Sequence, residues 1–194
     1  MNLSAAGNLD AGWQTGVLLH SCCAPCACAI MERLAREGVR HEVFFFNPNI
    51  HPDEEYRRRK DENKRFADKL GVPFHDADRD HDSWLEAVAG HESDPERGVR
   101  CGLCFAYRLR AAASWAAGHG FGRFTTSLGI SRWKDFAQVC AAGRAAAAAF
   151  PEVEFWDVNW RKGGGAARMD ELARQEAFYR QNYCGCEFAM PPRA

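Results

Sequence analysis

The stretch "GVLLHSCCAPCACAIMERLAREGVRHEVFFFN", residues 16–47, decides the fold. Its opening "GVLLHS" (16–21) is a short apolar run that suits a buried strand. After the cysteine loop, Ile30, Met31 and Leu34 fall at helical spacing. That helix begins near Ala24 or Pro25, with Gly38 as a plausible stop. "HEVFFFN" (41–47) is a second strand, rich in aromatics and ended by the turn-forming "NPN". Strand, helix and strand in that order make a βαβ unit, and such units build parallel sheets.

The pattern repeats outward from this unit. Residues 53–70 read as a long helix with Asp53 as N-cap, and Glu54 and Glu55 sit in its first turn, where the helix dipole favours acids. A short third strand is expected at 72–76, a helix at 81–90, and a loop at "GHESDPERG" (90–98). A helix follows from Cys101 to Ala117, then a fourth strand at "RFTTSLG" (123–129). The alanine-rich 135–149 is a helix, "VEFWDVN" (153–159) a fifth strand, and 169–181 a last helix. The expected fold is α/β: a single-domain, Rossmann-like sheet, mostly parallel, with helices on both faces. In such sheets sites collect at the carboxyl ends of the strands, where His20 to Cys26 lie. Residues 1–14, "MNLSAAGNLDAGWQ", read as a flexible N-terminal extension and 15–194 as one domain.

Composition narrows the functional classes. The 194 residues carry a net charge of -1, which argues against non-specific nucleic-acid binding by the whole surface but leaves room for a local basic face. No apolar run approaches the roughly 18 residues of a membrane span. The first fourteen residues lack the basic start and apolar middle of a secretory signal, so a reducing, cytoplasmic setting is expected. There, clustered cysteines bind metal or do redox chemistry more often than they form stable disulfides.

The nine cysteines fall into three groups and one outlier. Cys22, Cys23, Cys26 and Cys28 follow the first strand, Cys101 and Cys104 open a helix, and Cys184 and Cys186 lie in the tail. Cys140, on the alanine-rich helix, and Cys28, inside the first helix, suit structural roles. Cys101 and Cys104 are one helical turn apart, so both thiols can point at one atom, and a helix start favours thiolate. Four thiols from two loops fit either zinc or a [4Fe–4S] cluster. The adjacent pair Cys22–Cys23 suits a cluster several ångströms across better than one small tetrahedral ion. In "CGC" (184–186), glycine frees the backbone to bring two sulfurs together, either on a metal or in a very small, easily reduced disulfide ring.

Five segments in this order, "LLHSCCAPC", "FFFNPNIHPDEEYRRR", "RCGLCFAYRL", "FTTSLGIS" and "YRQNYCGCEF", resemble the QueH-type epoxyqueuosine reductases of tRNA queuosine biosynthesis. They run from Leu18 to Phe188. The resemblance implies two-electron reduction of the epoxide on the modified wobble base of tRNA. It implies a [4Fe–4S] cluster on Cys22, Cys23, Cys101 and Cys104, and a redox-active pair at Cys184 and Cys186. Cys26 is then a candidate ligand for a second, mononuclear iron. The partners are tRNA carrying epoxyqueuosine and an electron donor of unidentified nature; no membrane is involved. The rival enzyme class is a PP-loop, ATP-dependent tRNA-thiolating enzyme, but "SCCAPC" lacks the glycines that let a backbone reach pyrophosphate. A non-enzymatic zinc-binding module is the other alternative.

Basic residues suggest where RNA would lie. The 53–70 helix holds seven Lys/Arg against six acids, with Glu54–Arg58 and Asp61–Arg65 at i,i+4 spacing, and reads as a solvated, salt-bridged face. Arg132, Lys134, Arg161 and Lys162 follow strands four and five, interleaved with Trp133 and Trp160, and look more like a phosphate-and-base surface. His20, ending a buried strand, reads as structural.

Overall fold

A computed structural model describes residues 15–77 and 80–190; the extension expected at 1–14 lies outside them. Five strands form one all-parallel sheet: β1 (Val17–His20), β2 (His41–Phe45), β3 (Phe74–Asp76), β4 (Arg123–Thr126) and β5 (Glu154–Phe155). Their order is β3-β2-β1-β4-β5. β1 is central, in register with β2 through Leu19 and Val43 and with β4 through Leu18 and Phe124.

Alternation along β1 divides the core in two. Leu18 joins Phe44 and Phe124 on one face, under α4 (Val99–Gly118) and α5 (Phe136–Ala147). Small residues, Ala112, Ala113 and Ala116 on one helix and Ala142, Gly143 and Ala146 on the other, lie among their buried positions and allow close approach. A Cβ on Gly143 of α5 would meet the Phe155 ring at 2.4 Å. Leu19 joins Val43 on the other face, beneath α1 (Ala24–Arg36), the end of α2 (Asp53–Lys69) and α6 (Gly165–Gln175). There Ile30, Met31 and Leu34 of α1 are buried, as their spacing predicts. The short α3 (His81–Ala87) anchors a smaller cluster through Trp84.

Several boundaries differ from expectation, and four of the differences have a clear local reason. β4 stops at Thr126, whose hydroxyl accepts from the Leu128 amide and turns 127–130 into a 3-10 helix. β5 ends at Phe155 because Val158 N–H bonds back to the Trp156 carbonyl at 3.0 Å, closing a tight turn. The last helix starts at Gly165 and ends at Gln175. Beyond it Ala177 takes a positive φ and Phe178 folds back into the core, its amide on the Ala173 carbonyl. Pro52, not Asp53, is the cap of α2, so all three acids lie inside its first turn.

Candidate metal and redox centre

The strand order reverses between β1 and β4, and a crevice at the carboxyl ends of the strands opens at such a switch point. The first thiol group sits there. Leaving β1, the chain passes His20 and Ser21 and turns into α1 with Cys23 as its extended N-cap and Pro25 in the first turn. The sulfurs of Cys22, Cys23 and Cys26 all lie within 4.8 Å of one another, with Cys22 and Cys23 3.7 Å apart.

The neighbours of this group suit thiolate. Ser127 Oγ accepts the Cys22 amide at 3.0 Å and donates its hydroxyl to Cys22 Sγ at 3.3 Å. Gln181 Nε2 donates to Cys23 Sγ at 3.0 Å. The Cys22 thiol is held well below its ordinary value, by hydrogen bonds from Cys23 and Cys26 against the cost of burial, with help from the Arg108 charge and Ser127. Its neighbours move the other way. Cys23 is pushed up to about 12, and Cys26 also rises, both chiefly because they donate hydrogen bonds to the Cys22 sulfur and so keep their protons. One negative charge is thus shared by three sulfurs.

A buried polar network fixes this loop. Asn47, from the turn after β2, donates to the Ser21 carbonyl at 2.8 Å and accepts from Arg108 Nη2 at 2.5 Å. Asn63 of α2 donates to Ser21 Oγ at 2.5 Å. His20 holds strand ends together: Nε2 lies 3.2 Å from the Phe46 carbonyl, which can only accept, so Nδ1 takes the Thr126 hydroxyl at 2.8 Å. Burial, aided by the Arg108 charge, lowers its imidazole to about 3, so the ring is neutral and structural, as read from sequence.

The second group comprises Cys101, Cys104, Cys184 and Cys186. Cys104 and Cys186 pack in one cluster with Trp84 and Val88, and Cys184 lies against it. Burial raises the Cys101 thiol, while the Arg97 amide donates to its sulfur at 3.2 Å. Cys184 is lowered to about 6, first by a hydrogen bond from Cys186 and then, against burial, by the Lys134 charge. Cys186, the donor, moves up.

Two arginines tie the groups together. Arg108 reaches Cys104 Sγ at 3.9 Å while its charge acts on Cys22. Arg59, only 3% exposed, pairs with Glu55 and donates to the carbonyls of Cys184 and Tyr183 at 3.1 and 3.2 Å. It straps the tail onto α2, and its charge reaches Cys22 and Cys23. Gly185 sits at φ +100, and a Cβ there would lie 2.9 Å from Ile50 and 3.1 Å from Arg59. Only glycine fits.

The four basic residues expected on an RNA surface divide. Arg132 and Lys162 are exposed, and Arg161 is half-buried. Lys134 points inward: burial works against its charge, but the neighbouring cysteines, Cys184 first, raise it. Trp133 is 62% exposed with the Arg132 guanidinium 4.7 Å from its ring, and Arg97 braces both backbone carbonyls. Trp160 is core, its indole donating to Thr125 Oγ1. Cys28 and Cys140 are buried in helices, as expected. Ser127, Gln181, Asn47, Asn63, Arg59 and Arg108 were not picked out by sequence reasoning. All but Asn63 lie inside the five segments that carry the family resemblance, and Asn47 also marks the "NPN" turn at a strand end.

Comparison with known proteins gives the family. A family model described as "Epoxyqueuosine reductase QueH" matches residues 17–191. The protein named Epoxyqueuosine reductase QueH from Acinetobacter baylyi is 51% identical over 174 residues, covering 90% of this chain and 80% of its own. Its namesake from Haemophilus influenzae is also 51% identical over 174 residues, covering 90% of this chain and 71% of its own. The one from Thermotoga maritima is 32% identical over 180 residues, 91% of each chain. With its thiol groups on the loop after β1, at the start of α4 and in the tail, this chain belongs to the epoxyqueuosine reductase QueH family.

Proposed function

We propose that this protein reduces the epoxide of epoxyqueuosine, at the wobble position of tRNA, to the alkene of queuosine. The observation that carries the reading is the convergence of two thiol groups on Arg108 at the switch point, in a chain of this family. Removal of the oxygen breaks two C–O bonds and forms a C=C bond; two electrons and two protons leave with the oxygen as water. Oxidation of the Cys184–Cys186 dithiol to a disulfide releases that same number of electrons and protons. An external electron donor then restores the dithiol.

Hydroxyl and amide donors aimed at Cys22 and Cys23 are what thiolate ligands take, so the donor set suits a soft metal centre. Cys22, Cys23, Cys101 and Cys104 would hold a [4Fe–4S] cluster, and Cys26 would serve a mononuclear iron beside it. Such a centre supplies one-electron transfer and Lewis acidity toward oxygen. The chain's own residues do the rest. Arg108 and Lys134 offset the negative charge of the thiolates. Arg59 holds the Cys-Gly-Cys turn against the site, and Cys184 is the thiolate of the pair. Arg132, Arg161, Lys162 and the face of Trp133 receive the RNA. A tRNA substrate and reduced thiols fit a cytoplasmic enzyme in which 15–194 act as one domain, preceded by the 1–14 extension. No helix among the described residues is long and apolar enough to cross a membrane.

Anaerobic purification with iron and sulfide counting, followed by nucleoside mass spectrometry of treated tRNA, tests the reading. Iron and sulfide in the wild type, with epoxide reduction lost in Cys184→Ser/Cys186→Ser at full iron content, are the expected results. Zinc in the cysteine site with no sulfide would overturn it.

A further inference from the structure

His51, His81 and Glu187 lie outside both thiol groups, and the proposed epoxide reduction does not call on them. They come from three separate pieces of chain: the loop after β2, the first turn of α3, and the turn that follows Cys186. Each brings one ligand atom to within 4.8 Å of the other two.

The protons on this triad are fixed by its neighbours. His81 Nδ1 lies 2.7 Å from the Pro48 carbonyl. A carbonyl only accepts, so Nδ1 carries the hydrogen and Nε2 of the neutral ring presents a lone pair. That lone pair faces Glu187 Oε1 at 3.1 Å. Oε1 is removed from solvent and receives no hydrogen bond. Two acceptors at this distance repel unless a cation lies between them. A proton on Nε2 would satisfy that pair alone. It would leave the third donor without a role: His51, whose ring stacks on His81 with centroids 5.5 Å apart. A metal ion takes all three.

We propose that His51, His81 and Glu187 hold a divalent cation, separate from the cysteine centre and of the borderline class for which zinc is the best fit. Two imidazoles and a carboxylate, with a fourth position open, form a zinc donor set. The Pro48 carbonyl on the far nitrogen of His81 is the outer-shell support that metal-bound histidines take. Stacking of the His81 ring on Trp84, at 5.6 Å, holds its orientation. Entry is open as well: His81 lines a cleft of about 500 Å³, where Asp53, Asp80 and Asp82 stand beside Arg57 and Lys60.

The site has a mechanical consequence. The His51 amide donates to the Gly185 carbonyl at 2.8 Å, and the Tyr183 hydroxyl donates to the His51 carbonyl. An ion shared by His51 and Glu187 therefore brackets the Cys-Gly-Cys turn from both sides and pins it to α3. The site itself stands whether or not the reductase reading holds.

Zinc binding to anaerobically prepared, iron-loaded protein tests it, in a Cys184→Ser/Cys186→Ser background that removes the neighbouring thiols from competition. One equivalent of zinc should bind there. His81→Phe, which keeps the stack on Trp84, and the milder Glu187→Gln should each weaken it more than the about 10–100-fold cost of removing an outer-shell partner. Iron and sulfide should stay constant in all of them. Zinc should also slow amide exchange across 185–188 in the parent and not in the variants. Absence of zinc binding, or equal affinity in Glu187→Gln, would overturn the proposal and leave His81 and Glu187 as an imidazolium–carboxylate pair only.

Discussion

Cys184 and Cys186 have the same residue type and nearly the same position, yet opposite proton affinities. Cys184 is held at about 6 because Cys186 gives it a hydrogen bond and Lys134 a positive charge; Cys186 keeps its proton for that reason. The fold thereby decides which of the two is the thiolate. In the reduced protein, alkylation of Cys184 should rise with pH around a midpoint near 6. Cys186→Ala should move that midpoint up toward the ordinary thiol value, and Lys134→Met should do so by less, in the order of the two causes. Mass mapping of the alkylated cysteine against pH reads this directly, and a wild-type midpoint near 9 would remove the assignment of Cys184 as the thiolate. The sign for stability follows. A depressed acid contributes stability that is complete above its unfolded value and lost as pH falls through its folded one. This contribution therefore fades between about pH 9 and pH 6. The sequence identified the pair, since two thiols flanking a glycine are visible in it. It could not order them, because the order comes from Lys134, distant in the chain and brought in by the fold.

At the scale of elements, α2 marks the limit of periodicity as a guide. Its inward stripe is Tyr56, Arg59, Asn63 and Phe66, at helical spacing but half polar, so the segment reads from sequence as a solvated face. Arg58 lies over the Tyr179 ring and Arg65 bonds Glu176, so much of the outer charge is spent on the tail as well. The helix is a clamp for residues 176–185. By contrast, α1 was legible because its inner stripe is aliphatic. Gly185→Ala tests the clamp. Alanine at φ +100 carries strain of about 1–3 kcal/mol. It also drives a methyl into Ile50 and Arg59. Gly38→Ala, at φ +71 with open space around it, carries the strain alone. Both variants should melt earlier, but only Gly185→Ala should lose turnover, by at least about tenfold, while retaining iron. Equal turnover in the two would mean that the seating of the turn does not matter for the reaction.

For the whole molecule, a parallel sheet with its switch point between β1 and β4 explains why sequence reasoning found the cysteine loop so readily. The loop leaves the central strand at its carboxyl end, where the crevice must be. The proposed RNA face is less legible. A net charge of -1 provides no general attraction for phosphate, so affinity must come from a few cations near the crevice. Sequence grouped Arg132, Lys134, Arg161 and Lys162 by position in the chain, but the fold turns Lys134 toward the thiols. The two kinds of cation should separate in a salt titration. Removing one cation that neutralises a phosphate should flatten the dependence of log affinity on log salt by about 0.7–0.9. Arg132→Ala, Arg161→Ala and Lys162→Ala combined should therefore lower the slope by about two to three units. Lys134→Met should leave the slope unchanged and instead shift the alkylation midpoint of Cys184. Trp133→Ala should weaken tRNA binding by about 1–3 kcal/mol, the usual worth of a stacked base, with no change in slope. Fluorescence anisotropy of labelled anticodon stem-loop across a salt series measures all three. A slope that falls in Lys134→Met and holds in the triple variant would turn the inward lysine outward and move the RNA site to the thiol crevice itself.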